Sequence, residues 1–593
     1  MIRLFETNQL RQVTELEGMW DFAVIEQAAQ GSNDNTDSPS SMVAGSDTIT
    51  TAEPDYGYRL PVPGCWEQHP ELLTYRGKGL YRRRIVIAKE AAALRFVFKG
   101  VSHTARVFFD GKLIAAHYNA YTAFAAVVRH VMPGEHTLTI EVDNSFHEGS
   151  ALHIPNDYYT YGGLIRPVVM ETINELYIER IGFIPQLQHG EWSARIEVAV
   201  RNVSVVEQSF QLRGELAGQQ LQWDTASIQP GAELVVVGSF QVPDAKAWSA
   251  RHPQLYALSC QLFASNGEPV EGLTAVDDLI ERVGFRTVTT LEGRIQVNGE
   301  DIVLKGFNRH EDHPIVGAAF PLALMVKDLD LMADMGANCV RTSHYPNDER
   351  FLDLCDERGF YVWEENHARG LSLERMQNPH FIEQCAMVNK EMVEGHQNHP
   401  AIIIWAILNE CASDTEEGRA HYKRQLEQIR KMDGSRPLTF ASHHREKELC
   451  FDLADIVSFN LYPGWYGAED PGELCDRARG WADAAGGLGK PMIMSEFGGD
   501  GFYGYRSPSR VKGTEERQAD IIDSNLQAYG ERDYISGMLI WQFCDCRVSE
   551  EGSWAIWRAQ TKNSKGIVDE YRRPKLAYEI VRKHFKKIST TRD

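Results

Sequence analysis

From residue 301 onward the chain repeats one pattern eight times: a short apolar segment, then a stretch with helical periodicity. The apolar segments are DIVLKGF (301–307), ANCVRTS (337–343), GFYVWEE (359–365), AIIIWAIL (401–408), PLTFAS (437–442), DIVSFN (455–460), PMIMSE (491–496) and GMLIWQF (537–543). Strands that alternate with helices build a parallel sheet, and eight such units over about 300 residues argue for a (β/α)8 TIM barrel. The helix after the first strand, VKDLDLMADMG, places Val326, Leu329, Met332 and Ala333 on one face. Asn347 is the expected N-cap of the next helix. Phe351, Leu354 and Cys355 face its core, and Gly359 stands where a helix C-terminus favours glycine.

The residues before the barrel read as β-rich. RRRIVIA (82–88), LRFVFKGV (94–101), ARVFFDG (105–111) and HTLTIEVDN (136–144) alternate or are rich in β-branched and aromatic residues. Turn signals such as Asp110-Gly111 and Pro133-Gly134 separate them. SARIEVAVRNVS, SFQLRGEL and ELVVVGSFQVP read as strands of a second sandwich. The expected domains are therefore a β-sandwich over 1–180, an immunoglobulin-like sandwich over 181–288 and the barrel over 289–593. A polar segment, 29–54, has neither Lys nor Arg and reads as a long loop inside the first domain.

Charge narrows the function. The chain holds 61 Lys and Arg against 83 Asp and Glu, a net of −22, which opposes nucleic-acid binding. It also opposes an anionic substrate at long range, so any recognition of one must be local. The sequence has no apolar run long enough to span a membrane and no secretory leader pattern at its start. Ten scattered cysteines, with only Cys544 and Cys546 close together, suit reduced thiols in a cytoplasmic protein better than a metal site.

In a barrel of this type, chemistry sits at the C-terminal ends of the strands. The fourth strand runs into Asn409-Glu410 and the seventh ends in Glu496. One such acid is as readily a helix N-terminal residue satisfied by backbone N–H groups. Two of them suit glycoside hydrolysis. One protonates the leaving oxygen and later deprotonates water; the other attacks the anomeric carbon. With Glu496 ionised as nucleophile, its charge is expected to raise the pKa of Glu410 and keep it protonated as acid. Asn409 is placed to donate to the sugar 2-OH.

The order of two sandwiches, a barrel, Asn-Glu on strand four and Glu on strand seven resembles glycoside hydrolase family 2. VPGCWEQ (62–68), YRGKGLYRRR (75–84) and DYYTYGGLIRPV (157–168) resemble its N-terminal jelly-roll sugar-binding-type domain, and GFRTV (284–288) its junction into the barrel. KGFNRHEDHP (305–314), VRTSHYPND (340–348) and WAILNE (405–410) resemble its barrel motifs. Within the family the likeness is to β-glucuronidases. It implies that Tyr462 and Tyr466, in NLYPGWY, approach the sugar. It further implies that Asn563 and Lys565, in Asn-Ser-Lys, hold a uronate carboxylate. Asp157, His344 and Trp541 are implied as sugar-pocket residues, and Arg341 as a group beside the nucleophile.

The segment 542–566 is longer and more polar than the family pattern. Arg558 is a candidate for the arginine that precedes Asn-x-Lys, and Ile556 and Trp557 for aglycone contacts. The resemblance thus implies a retaining exo-β-glucuronidase acting on a small β-glycoside, without metal or organic cofactor, as a homo-oligomer (dimer or tetramer). A β-galacturonidase, a β-galactosidase and a non-catalytic carbohydrate-binding protein are the alternatives.

Overall fold

All eight apolar segments form strands of one parallel sheet: β1 (Leu304–Asn308), β2 (Cys339–Thr342), β3 (Tyr361–Glu365), β4 (Ile402–Ala406), β5 (Leu438–Thr439), β6 (Val457–Asn460), β7 (Met492–Phe497) and β8 (Ile535–Ile540). Every residue in them is buried. Ladders join neighbours from β5 back through β1 to β8, β7 and β6. Only the seam between β5 and β6 lacks a ladder. A bridge between Ser442 and Phe459 closes that seam, with Ser442 N–H donating to Ser458 O (3.0 Å) and Asn460 N–H to Ser442 O (2.8 Å). The structure is a computed structural model that describes residues 2–25, 54–265, 274–551 and 557–588. The polar segment expected as a loop, 29–54, lies outside them except for Pro54, and so does Ile556.

The barrel helices are α1 (Leu322–Met335), α2 (Glu349–Arg358), α3 (Phe381–His396), α4 (Glu416–Met432), α5 (Pro471–Ala482), α6 (Glu515–Gly530) and α7 (Ala577–Lys587). The connection from β5 to β6 instead carries a single 3-10 turn, Arg445–Lys447. Two expectations change in detail. The buried face of α1 is Met325, Asp328, Leu329, Met332 and Met335, while Ala333 is exposed. Asp328 belongs to that face because Arg309 and Arg572 donate to its carboxylate. The N-cap of α2 is Asp348, whose carboxylate accepts from Arg350 N–H (2.9 Å); Asn347 is instead held by Arg309 (2.8 Å). Phe351, Leu354 and Cys355 are buried as expected. Gly359 ends α2 at φ 70°, and a Cβ there would stand 2.0 Å from Ala250 O of the second domain. Glycine is required at this position by conformation and by contact alike.

The first domain pairs two antiparallel sheets. One has six strands, in the order Tyr58–Val62, Gly18–Ile25, Lys78–Ile87, Gly134–Asp143, Thr104–Phe109 and Lys112–Tyr118. The other has four: Gln12–Glu15, Val168–Ile173, Ala91–Phe98 and Phe124–Val131. Trp20, Phe22, Trp66, Tyr81, Leu94 and Phe96 fill the space between them. The second domain packs Leu176–Gln188, Glu191–Asn202 and Glu233–Gln241 against a sheet built on Gln208–Leu216 and Tyr256–Ser265. Its strand Leu176–Gln188 runs through the 180/181 boundary read from the sequence and pairs along its length with Glu191–Asn202. Arg286, in the GFRTV junction, fastens this domain to the barrel by donating to Pro400 O (2.8 Å) and Ile402 O (2.9 Å) at the start of β4.

All ten cysteines are buried and unpaired, Cys544 and Cys546 included. No helix among the described residues is long and apolar enough to cross a membrane.

Candidate active site

A cavity of about 600 Å3 opens at the C-terminal ends of the barrel strands. Of the residues singled out in the sequence, Asp157, Glu410, Tyr462, Tyr466, Glu496, Trp541 and Lys565 line it, together with Arg558. His344, Asn409 and Asn563 stand behind the wall, each almost fully buried.

Glu410 is lifted toward the cavity by an unusual turn. Beyond β4, Leu408 (φ 47°) and Glu410 (φ 53°) both occupy the left-handed region. That conformation costs a non-glycine residue about 1–2 kcal/mol and persists only where neighbours enforce it. Here Glu410 N–H donates to Ala441 O (2.9 Å), and Tyr422 OH donates to Leu408 O (2.8 Å). Asn460, at the end of β6, donates to Glu410 Oε1 (3.0 Å) and to Asn409 Oδ1 (3.0 Å).

Glu496 lies within β7. Its Oε1 accepts from Arg341 Nη1 (2.9 Å) and its Oε2 from the Tyr462 hydroxyl (2.6 Å). Arg341 is a hub. It also donates to both oxygens of Glu365 (2.8 and 3.0 Å), to Asn308 Oδ1 (2.8 Å) and to Asn409 Oδ1 (2.7 Å). Glu365 in turn pairs with His344 Nδ1 (2.7 Å), and His344 stacks on Trp541 with centroids 5.1 Å apart. His344 therefore supports the tryptophan from behind instead of lining the cavity. Asn409 Nδ2 has no protein partner.

The charge balance between the two glutamates departs from expectation. Burial and the negative charge of Glu410 push the carboxyl of Glu496 up to about 7, against the opposing pull of Arg341 and Tyr462. Burial also pushes Glu410 up, but Arg369, His443 and Asn460 overcome it and hold it below the usual carboxylate range. Arg369 Nη2 lies 3.5 Å from Glu410 Oε2. The raised pKa expected for Glu410 therefore falls on Glu496, because the charge of Arg369 favours ionised Glu410. The pair thus holds one shared proton up to about neutral pH.

On the far side of Tyr462 from Glu496, Lys565 also lines the cavity, buried and with its Nζ free of hydrogen bonds to the protein. The rings of Tyr466 (5.3 Å), Trp465 (5.4 Å) and Tyr462 (6.0 Å) surround the ammonium, and Asp500 Oδ1 lies 3.5 Å away. Arg558 Nε donates to Asp157 Oδ1 (2.8 Å) and its Nη2 to Oδ2. Asn563 Nδ2 donates to Asp157 Oδ2 (2.9 Å). Asp157, which enters from the first domain, thus has both oxygens engaged, and Asn563 is committed to holding it.

Glu365 and Asn460 were missed in the sequence. Both sit at strand ends, the same signal that picked out Glu410 and Glu496. Arg369, His443, Arg445 and Glu469 also line the cavity from loops, where no strand-end rule applies.

Comparison with known proteins matches this architecture throughout. The chain fits the family descriptions "Glycosyl hydrolases family 2, sugar binding domain" over residues 13–173 and "Glycosyl hydrolases family 2" over 176–286. It fits "Glycosyl hydrolases family 2, TIM barrel domain" over 288–590. The chain belongs to glycosyl hydrolases family 2. Among curated relatives, the β-glucuronidase of Paenibacillus borealis is 26% identical over 96% of each chain. The pig β-glucuronidase is 29% identical over 73% of this chain, and the match spans 65% of the pig protein's length. A solved family 2 β-galacturonidase from Eisenbergiella tayi, bound to galacturonate, is 42% identical over the full length of both chains, with a TM-score of 0.90. A β-glucuronidase from an uncultured Clostridium is 27% identical, covers 99% of this chain and 100% of that one, and has a TM-score of 0.79.

Proposed function

We propose that the protein is a retaining exo-β-uronidase. Glu496 serves as nucleophile and Glu410 as acid and then base. The observation that carries this reading is Lys565: a buried ammonium with no hydrogen-bond acceptor, lining the same cavity as the two glutamates. Asp500 gives the ammonium an anion at 3.5 Å but no hydrogen-bond partner, and a buried charged donor left unsatisfied costs about 1–3 kcal/mol or more. A C6 carboxylate supplies that partner, and a neutral hydroxymethyl does not. Arg558, fixed by Asp157, adds a second cation to the same cavity.

The two glutamates supply the rest. Arg341 and Tyr462 hold the Glu496 carboxylate by both oxygens and fix its direction of attack. Attack requires the shared proton to be on Glu410, from which it passes to the leaving oxygen. Once Glu496 is esterified its charge is gone. Glu410, ionised after protonating the leaving group, then deprotonates the incoming water. Asn409 Nδ2 is the donor available for the 2-OH.

For the sugar itself, the full-length 42% likeness to a β-galacturonidase favours galacturonides. The curated β-glucuronidases, at 26–29%, support glucuronides as the second reading. The two sugars differ only at C4. The p-nitrophenyl β-glycosides separate the readings. Galacturonide is expected to turn over fastest, glucuronide next and galactoside least. A glucuronide preference selects the second reading, and a galactoside preference rejects the uronate reading altogether.

A further inference from the structure

Beside Glu410 the cavity has a rim of its own. The rim there comes from the β5–β6 connection, where a short turn stands in place of a barrel helix, and from the loop after β6. His443 Nδ1 lies 3.7 Å from Glu410 Oε1, and its side chain is half exposed. Glu410 protonates the glycosidic oxygen, so whatever that oxygen carries must rest against this rim. Two guanidinium groups and one carboxylate meet at this rim. Arg445 and Arg477 share one carboxylate, Glu469: Arg445 Nη1 donates to its Oε1 at 2.8 Å, and Arg477 Nη2 lies 3.5 Å from the same oxygen. Arg445 and Glu469 both line the cavity, as does Gly467, where a Cβ would stand 2.6 Å from Glu469 Oε2. Arg445 itself sits at φ 54°, a strained backbone position for arginine that holds the guanidinium at the cavity edge. Arg445 Nη2 also donates to Glu469 Oε2 (3.4 Å), so Glu469 takes one N–H from each terminal nitrogen and leaves the Nε–H and the outer N–H groups as donors for a ligand.

We propose that this rim is a leaving-group subsite for an acidic saccharide. The aglycone is a sugar that carries its own carboxylate, and Arg445 recognises that carboxylate. The natural substrate would then be a uronide linked to a second uronic acid, not a simple phenolic or neutral conjugate. The inference deepens the uronidase reading and rests on it.

Two disaccharides of the same linkage test it. Each has a non-reducing β-uronosyl residue; one is joined to a uronic acid and the other to the matching neutral hexose. The p-nitrophenyl uronide is the reference. The acidic disaccharide is expected to have the higher kcat/KM, by about tenfold, as a hydrogen bond to a charged group supplies. Arg445→Ala should bring that ratio close to one, and Arg445→Lys should keep most of it. A wild-type ratio of one or less overturns the subsite, and so does a ratio that Arg445→Ala leaves untouched. If the p-nitrophenyl uronide is turned over in either case, the uronidase reading survives. No turnover of the p-nitrophenyl uronide, with the galactoside cleaved, removes that reading and the subsite together.

Discussion

The two ends of the cavity are built by different rules. At the catalytic end, Glu496, Arg341, Glu365 and Asn460 sit in or at the end of strands, and the carboxylates and guanidinium are tied into one network. At the cationic end, Lys565, Arg558 and Asp500 stand on loops, Asp157 arrives from another domain, and Lys565 Nζ has no hydrogen bond. A site that must be rigid before substrate arrives is placed on the barrel. On the proposed reading, a site that is completed by the substrate's own charge is placed on loops.

Several measurements would break or sharpen that comparison. Glu496→Gln should have the largest effect, a loss of roughly 10^4-fold or more in kcat, as for other deleted nucleophiles. Unchanged thermal unfolding would show that the loss is chemical. Undiminished turnover would end the double-displacement account. Arg341→Ala should come next. It removes a donor from Glu496 and takes from buried Glu365 its cationic partner, leaving only His344 and Trp363 beside it, so Tm should fall with activity, by a stability loss of about 3 kcal/mol. A fully active, fully stable variant would mean that the catalytic end is not one network.

The pH dependence tests the shared proton. The raised pKa of about 7 on Glu496 means that the pair loses its last proton as pH rises through that value. With both carboxylates ionised there is no acid. The kcat/KM profile should therefore decline above about pH 7 and stay high below it until the second proton is taken up. A rate still climbing at pH 9 contradicts this. The smallest effect belongs to the cationic end. Asp500→Asn removes an anion that competes for Lys565 and should lower KM for uronides by up to about fivefold, the scale of a weak ion pair. A raised KM would make Asp500 a positioning residue instead.

The barrel and its two glutamates were legible because they follow local rules. The eight strands announce themselves as short apolar runs, and a carboxylate directly after such a run stands out. Glu365 obeys the same rule, but it follows Glu364 in a strand that ends in two acids, and the sequence does not say which of them faces the cavity side. The N-cap of α2 shifted by one residue because Arg309, distant in sequence, claims the Asn347 side chain. The cationic end was only partly legible. Arg558 and Asp157 are 401 residues apart, and no local pattern shows that their pairing holds both in place. The protonation order of the glutamates failed for the same reason: Arg369 reaches Glu410 from the loop after β3, and its position depends on the fold.

The central claim is that the cationic end exists for a carboxylate, and Lys565→Ala tests it most directly. Charge-assisted contacts of this kind are worth about 2–5 kcal/mol, so kcat/KM on the p-nitrophenyl uronide should fall by roughly 10^2-fold or more. Activity on the matching galactoside should fall far less. Equal losses on both substrates would contradict the account and leave Lys565 as a structural residue.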